Sequence, residues 1–222
     1  LQNLPQIAVI VLLVAALVLV LVLAQYLHSR LGVGAEHTRK FAHVAIGLGC
    51  VLVPFRFASH WYFLPSTVGF IGYLLYARRR GQLSALLDIG RESWGDILLA
   101  ISIYLNAVLA FFYDFERLFY LPMLILSVAD PAAYYGGFFF DKKQKSLIGS
   151  ASFVVVAFGA SWLYLSVFAA APYPHQTWLL LVTALLGALV ERFSKGGWDN
   201  LTVPLAVGAV LVFYHEVLCN SL

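Results

Sequence analysis

The amino-acid sequence predicts an all-α fold, a polytopic bundle of about eight transmembrane helices with seven as the alternative count, and three observations carry that prediction. Hydrophobic residues make up 62% of the 222 positions and charged residues 11%, whereas soluble domains are about 25% charged. Apolar runs close to the ~20 residues that cross a bilayer core recur along the whole chain. Assigning the loops to alternate sides puts twelve of the fourteen Lys and Arg residues on one side, leaving Arg56 and Arg117 on the other. Such an imbalance marks the cytosolic face, so both termini are expected on the opposite side.

The elements follow in order. The opening run, 4–27, is too long for a signal-peptide core and has no basic stretch before it, so it reads as a retained span. Further spans are expected at 42–55, 60–77, 94–113, 118–140, 147–170, 177–193 and 201–218. The second and seventh are short, which is why seven spans remains the alternative. The connections are short, as antiparallel neighbours require. No stretch is long and polar enough for a soluble domain, so residues 1–222 read as one integral membrane domain. Cys50 and Cys219 have neither metal-ligand spacing nor the number for a disulfide framework, and read as apolar fillers. No nucleic-acid partner is expected.

Four polar constellations fall on the predicted cytosolic face. In EHTRKFAHVAIGLG, residues 36–49, Arg39, His43 and Gly47 lie at i, i+4 and i+8 and share one helix face, with Lys40 beside them at the interface. In DIGRESWGD, residues 88–96, Ser93 is placed to cap the next helix with Asp96 at its third position, and Arg91 is a phosphate candidate. In the third, SVADPAAYYGGFFFDKKQKSLIGS, residues 127–150, Asp130 lies inside an apolar span and is followed by Pro131. An ionisable group there is costly and marks function. Asp-Pro also resembles a helix start, so the span is expected to be broken or kinked near Asp130. A helix beginning at that point favours phosphate. The carboxylate repels phosphate unless a divalent cation lies between them, which implies Mg2+. Lys142, Lys143 and Lys145 add positive charge, and Gly149 with Ser150 opens the next span. The fourth, ERFSKGGWDNLTVP, residues 191–204, brings Glu191, Asp199 and Asn200 to the membrane boundary around a glycine turn.

These residues resemble the membrane-bound CTP-dependent polyprenol kinase family, which includes dolichol kinase, phytol kinase and the CTP-dependent diacylglycerol kinases. Arg39, Lys40 and His43 match its basic pair and histidine; Asp130, Ala133 and Gly137 match Asp-x-x-Ala-x-x-x-Gly. Lys145, Ser146, Gly149 and Ser150 match Lys-Ser/Thr-x-Glu-Gly-Ser, and Glu191, Asp199, Asn200 and Pro204 match a late Glu followed by Asp-Asn-x-x-x-Pro. The resemblance covers about 36–210. Ile148 stands where that family has glutamate, and Asp141 where it often has a second glycine.

The resemblance implies transfer of the terminal phosphoryl group of a nucleoside triphosphate, CTP by family habit, to an isoprenoid or related lipid alcohol. It assigns Asp130 and Asp199 to Mg2+ with Glu191 as a further ligand or as a partner that supports the ligands, and Arg39, Lys40, Lys142 and Lys145 to phosphate. Ser146, Gly149 and Ser150 shape the nucleotide loop, and Asn200 orients nucleotide or metal waters. Asp130 and His43 are the candidate bases for the lipid hydroxyl. Two other readings are a phosphatidate cytidylyltransferase, which makes a CDP-lipid, and a non-catalytic lipid-binding or transport protein.

Overall fold

The computed structural model describes residues 6–52, 59–87, 93–141, 145–168 and 175–219, with no strand among them. The helices are α1 (Gln6–Leu31), α2 (Ala35–Leu52), α3 (Phe63–Arg79), the single-turn α4 (Ser84–Leu87), α5 (Gly95–Phe112), α6 (Arg117–Gly136), α7 (Leu147–Phe168), α8 (Gln176–Phe193) and α9 (Asp199–Tyr214). A 3-10 turn, His60–Tyr62, precedes α3; π-helical turns, Gly137–Asp141 and His215–Cys219, follow α6 and α9. Eight long helices thus fall on the eight expected runs. Six of them, α1 and α5–α9, are long and apolar enough to cross a membrane. Glu36, Arg39 and Lys40 raise the polarity of α2, and α3 has only 17 residues. The protein is therefore an all-helical, multi-pass membrane protein.

α6 is the axis of the bundle, with fifteen of its twenty residues buried. It packs against α2, α5, α7 and α9, and Met123, Ile125 and Leu126 join Phe153, Leu180 and Val203 in the main core. Close approach is set by small residues: a Cβ on Gly47 would stand 1.8 Å from Ser127 Oγ, and one on Gly136 2.3 Å from Ser152 Oγ. A second cluster, Leu21, Ala24, Ala42, Ala85 and Leu86, pins α1 and α4 to α2. There Thr38 Oγ1 donates to the Ala85 carbonyl at 2.6 Å.

Two local expectations are corrected. Of the break or kink expected near Asp130, the break is absent: α6 continues in α geometry through Pro131 and departs from it only at Gly137. Pro131 lacks an N–H, but α6 is enclosed by neighbours, and such packing lets a membrane helix carry a proline without ending. Asp130 caps nothing; its carboxylate is engaged from α2. Ser93 Oγ accepts from the Gly95 N–H at 3.3 Å, while the residue next to the helix is Trp94. Asp96 is held by Arg78 at 3.1 Å, so it completes no capping box. Arg78 also donates to the Ser93 carbonyl at 2.9 Å, tying α3 to the start of α5.

Candidate active site

One end of the bundle gathers the start of α2, the end of α6, the residues before α7, the end of α8 and the start of α9. Asp130, Glu191 and Asp199 come from α6, α8 and α9, and one carboxylate oxygen from each lies within 4.8 Å of the others. Asp130 and Glu191 are buried and Asp199 is half-buried. Glu191 sits in the last turn of its helix, where the dipole disfavours an acid, so its position there needs a cation. Lys145 supplies one. Its Nζ donates to the Glu191 carboxylate, to the Glu191 carbonyl at 2.7 Å and to Asp199 Oδ2 at 2.8 Å. Lys145 has φ +60, a conformation uncommon for a residue with a side chain. Burial works against its charge, but Asp199 and Glu191 outweigh that and raise its pKa above the ordinary lysine value.

Lys40 plays the matching part on α2, with its Nζ 2.5 Å from Asp130 Oδ2 and over the Tyr134 ring. His43 Nε2 lies 3.8 Å from the same oxygen, but it donates to the Leu126 carbonyl at 3.1 Å. Arg39 pairs with Glu36 at 2.7 Å, and its buried Nε has no acceptor among the described residues. A pocket of about 40 Å3 joins these groups, lined by Glu36, Arg39, Lys40, Asp130, Lys145, Glu191, Lys195 and Asp199 among others. Four acids face four cations in it. The donor set suits a hard divalent cation, which takes one or two carboxylates plus substrate oxygens.

The remaining sequence candidates take supporting positions. Ser146 Oγ accepts from the Gly149 N–H at 3.0 Å, as an N-cap of α7 does. Gly149 admits the Ala133 carbonyl, which a Cβ would meet at 2.7 Å. Both still line the pocket; Ser150 and Asn200 do not. Ser150 bonds the Ser146 carbonyl, and Asn200 Nδ2 donates to the Gly95 carbonyl at 2.6 Å, clamping α9 to α5. Lys142, Lys143 and Arg91 lie outside the described residues, as does the Asp141 side chain. Ile148 is 40% exposed and is not among the residues that line the pocket. Sequence reasoning missed Glu36, Tyr134 and Lys195 as pocket residues. The first two carried a signal, since Glu36 is i−3 to Arg39 and Tyr134 is i+4 to Asp130.

No family model and no solved structure matches the chain. It is 30% identical over 208 residues to phytol kinase of Synechocystis sp., a match that covers 86% of this chain and 84% of that protein. The likeness runs through nearly the whole bundle, and the basic, acidic and glycine motifs that carry the family resemblance converge on one pocket within it. The chain belongs to the membrane-bound polyprenol kinase family.

Proposed function

We propose that this protein is a lipid-alcohol kinase that moves the terminal phosphoryl group of a nucleoside triphosphate, CTP as the family resemblance implies, to an isoprenoid alcohol. The observation that carries the reading is the meeting of Asp130, Glu191 and Asp199, from three helices, between Lys40 and Lys145. Those carboxylates would hold Mg2+, which when bound neutralises triphosphate charge and aligns the phosphates. With the acids engaged by a cation, the Lys40 and Lys145 ammonium groups are free to meet phosphate oxygens. Arg39, with an unsatisfied buried N–H, and Lys195 extend that positive lining toward the open side. The pocket is too small for a nucleotide, so the triphosphate enters tail first.

In the transfer, the alcohol oxygen bonds to the γ-phosphorus while the bond to the β–γ bridging oxygen breaks, releasing nucleoside diphosphate. The alcohol proton goes to a carboxylate. Asp130 is the better placed of the two candidate bases, because it lines the pocket and His43 Nε2 is committed to a carbonyl. Lys145, held protonated, cannot serve. All eight long helices are read as spans, with the pocket at the cytosolic end, a reading supported by the charge imbalance of the loops.

The destination of a label tests the chemistry. Purified protein with γ-labelled CTP, Mg2+ and an isoprenoid alcohol should give labelled lipid monophosphate. Label released only in pyrophosphate, with the α-phosphate kept on lipid, would establish a cytidylyltransferase instead; no nucleotide consumption would favour a binding or transport role.

A further inference from the structure

A cavity of about 540 Å3 lies between α1, α2 and α3, floored by α5 and α6. Leu13 and Leu17 of α1, Ile46 and Gly49 of α2, and Gly69 and Phe70 of α3 form its walls, and no charged residue among the described residues lines it. The Thr67 hydroxyl is turned back onto the Phe63 carbonyl at 3.0 Å. From Leu13 to Leu21 the α1 wall runs about 12 Å.

Two glycines widen the space. Gly47 and Gly136 each let another helix come close, but a Cβ on Gly49 or Gly69 would meet nothing within 4 Å. Both line the cavity. With no side chain at either position the walls on α2 and α3 stand further apart, although Gly72 and Gly159, away from the cavity, are equally uncrowded. Position supplies the second argument. Ile46 lies about 9 Å along the α2 axis from Lys40, so the helix that brings Lys40 to Asp130 also forms a wall of the cavity. Volume supplies the third. The cavity is half open to the surroundings of the bundle, and its volume of about 540 Å3 leaves room for a hydrocarbon chain.

We propose that this cavity holds the hydrocarbon chain of the acceptor alcohol, a single isoprenoid chain whose hydroxyl is directed along α2 to the carboxylate pocket. The identity of the occupant rests on the kinase reading above. Lipid tails are as apolar as these walls, so the cavity gives little affinity by burial; what it gives is alignment of the hydroxyl.

Gly49→Phe and Gly69→Phe test this directly, since each puts a ring in the cavity from a backbone that need not move. The full chain in phosphatidylcholine nanodiscs is photolabelled with a diazirine-bearing twenty-carbon isoprenoid alcohol, and kcat/KM is measured for twenty- and ten-carbon isoprenoid alcohols. Wild-type label should map to α1–α3 and fall at least ~10-fold in each variant. Turnover of the long alcohol should fall by a similar factor, while that of the short one stays within about threefold. Unchanged labelling and turnover of the long alcohol would overturn the proposal, and so would equal losses for both chain lengths. Displacement of the label by added phosphatidylcholine as readily as by unlabelled alcohol would also overturn it. Labelling needs no turnover, so the two readings fail separately: labelled α1–α3 without phosphoryl transfer sinks only the kinase reading, and transfer without that label sinks only the cavity proposal.

Discussion

Lys145 and Asp130 show how single side chains set the chemistry of the pocket. In the kinase reading proposed above, Asp130→Asn keeps the shape of the side chain while depriving the cation of a ligand and the alcohol of its base. Folded protein with turnover reduced at least ~100-fold is expected, and near-normal kcat would return Asp130 to a structural partner of Lys40. Lys145 bridges two acids, Glu191 and Asp199. Lys145→Ala should lower the unfolding temperature in the absence of divalent cation and enlarge the stabilising shift on adding Mg2+, because the ammonium no longer competes for Glu191 and Asp199. Equal Mg2+ shifts in both proteins would count against a shared site. The pH dependence has a definite sign. The pKa is raised in the folded protein, so the contribution of Lys145 is complete below the ordinary lysine value of 10.5 and is lost only as pH climbs through the raised one.

At the scale of elements, the site depends on helices held unusually close. Gly197 has φ +89, and a Cβ there would stand 2.4 Å from the Gly95 nitrogen, so the turn before α9 both needs a left-handed residue and admits no side chain. Gly197→Ala should cost about 2 kcal/mol or more in detergent unfolding and displace Asp199; an unchanged transition midpoint would show that the turn relaxes freely. Gly47→Leu should act similarly by prising α2 from Ser127. The helices themselves were legible in the sequence, because apolar runs of membrane length leave little choice of structure. The course of α6 was not. Asp-Pro is a local signal for a helix start, and the surrounding α2, α5, α7 and α9 override it. Likewise Ser93 and Asp96 have capping spacing, but Arg78 from another helix claims the acid.

At the scale of the whole molecule, helix ends and connections at one end of the bundle make the pocket, and none of the described residues at the other end lines it. In a Cys-free background, cysteine placed at 142 should be labelled only from the cytosolic side and cysteine at 173 only from the other. Labelling of both from one side would contradict the eight-span reading. The residues of the site could be picked out from type and spacing, since Asp130, Glu191 and Asp199 are acids at or within apolar spans. Their mutual distance could not, because it depends on how α6, α8 and α9 pack. Nor could the lysine that each acid meets. The central claim is that these three carboxylates form one divalent-cation centre, and Mn2+ binding followed by electron paramagnetic resonance tests it most directly. In the presence of a non-hydrolysable triphosphate, wild-type protein should bind one tight ion, and Asp130→Asn, Glu191→Gln and Asp199→Asn should each weaken it at least ~10-fold; Mn2+ binding unchanged in the three variants would contradict the account.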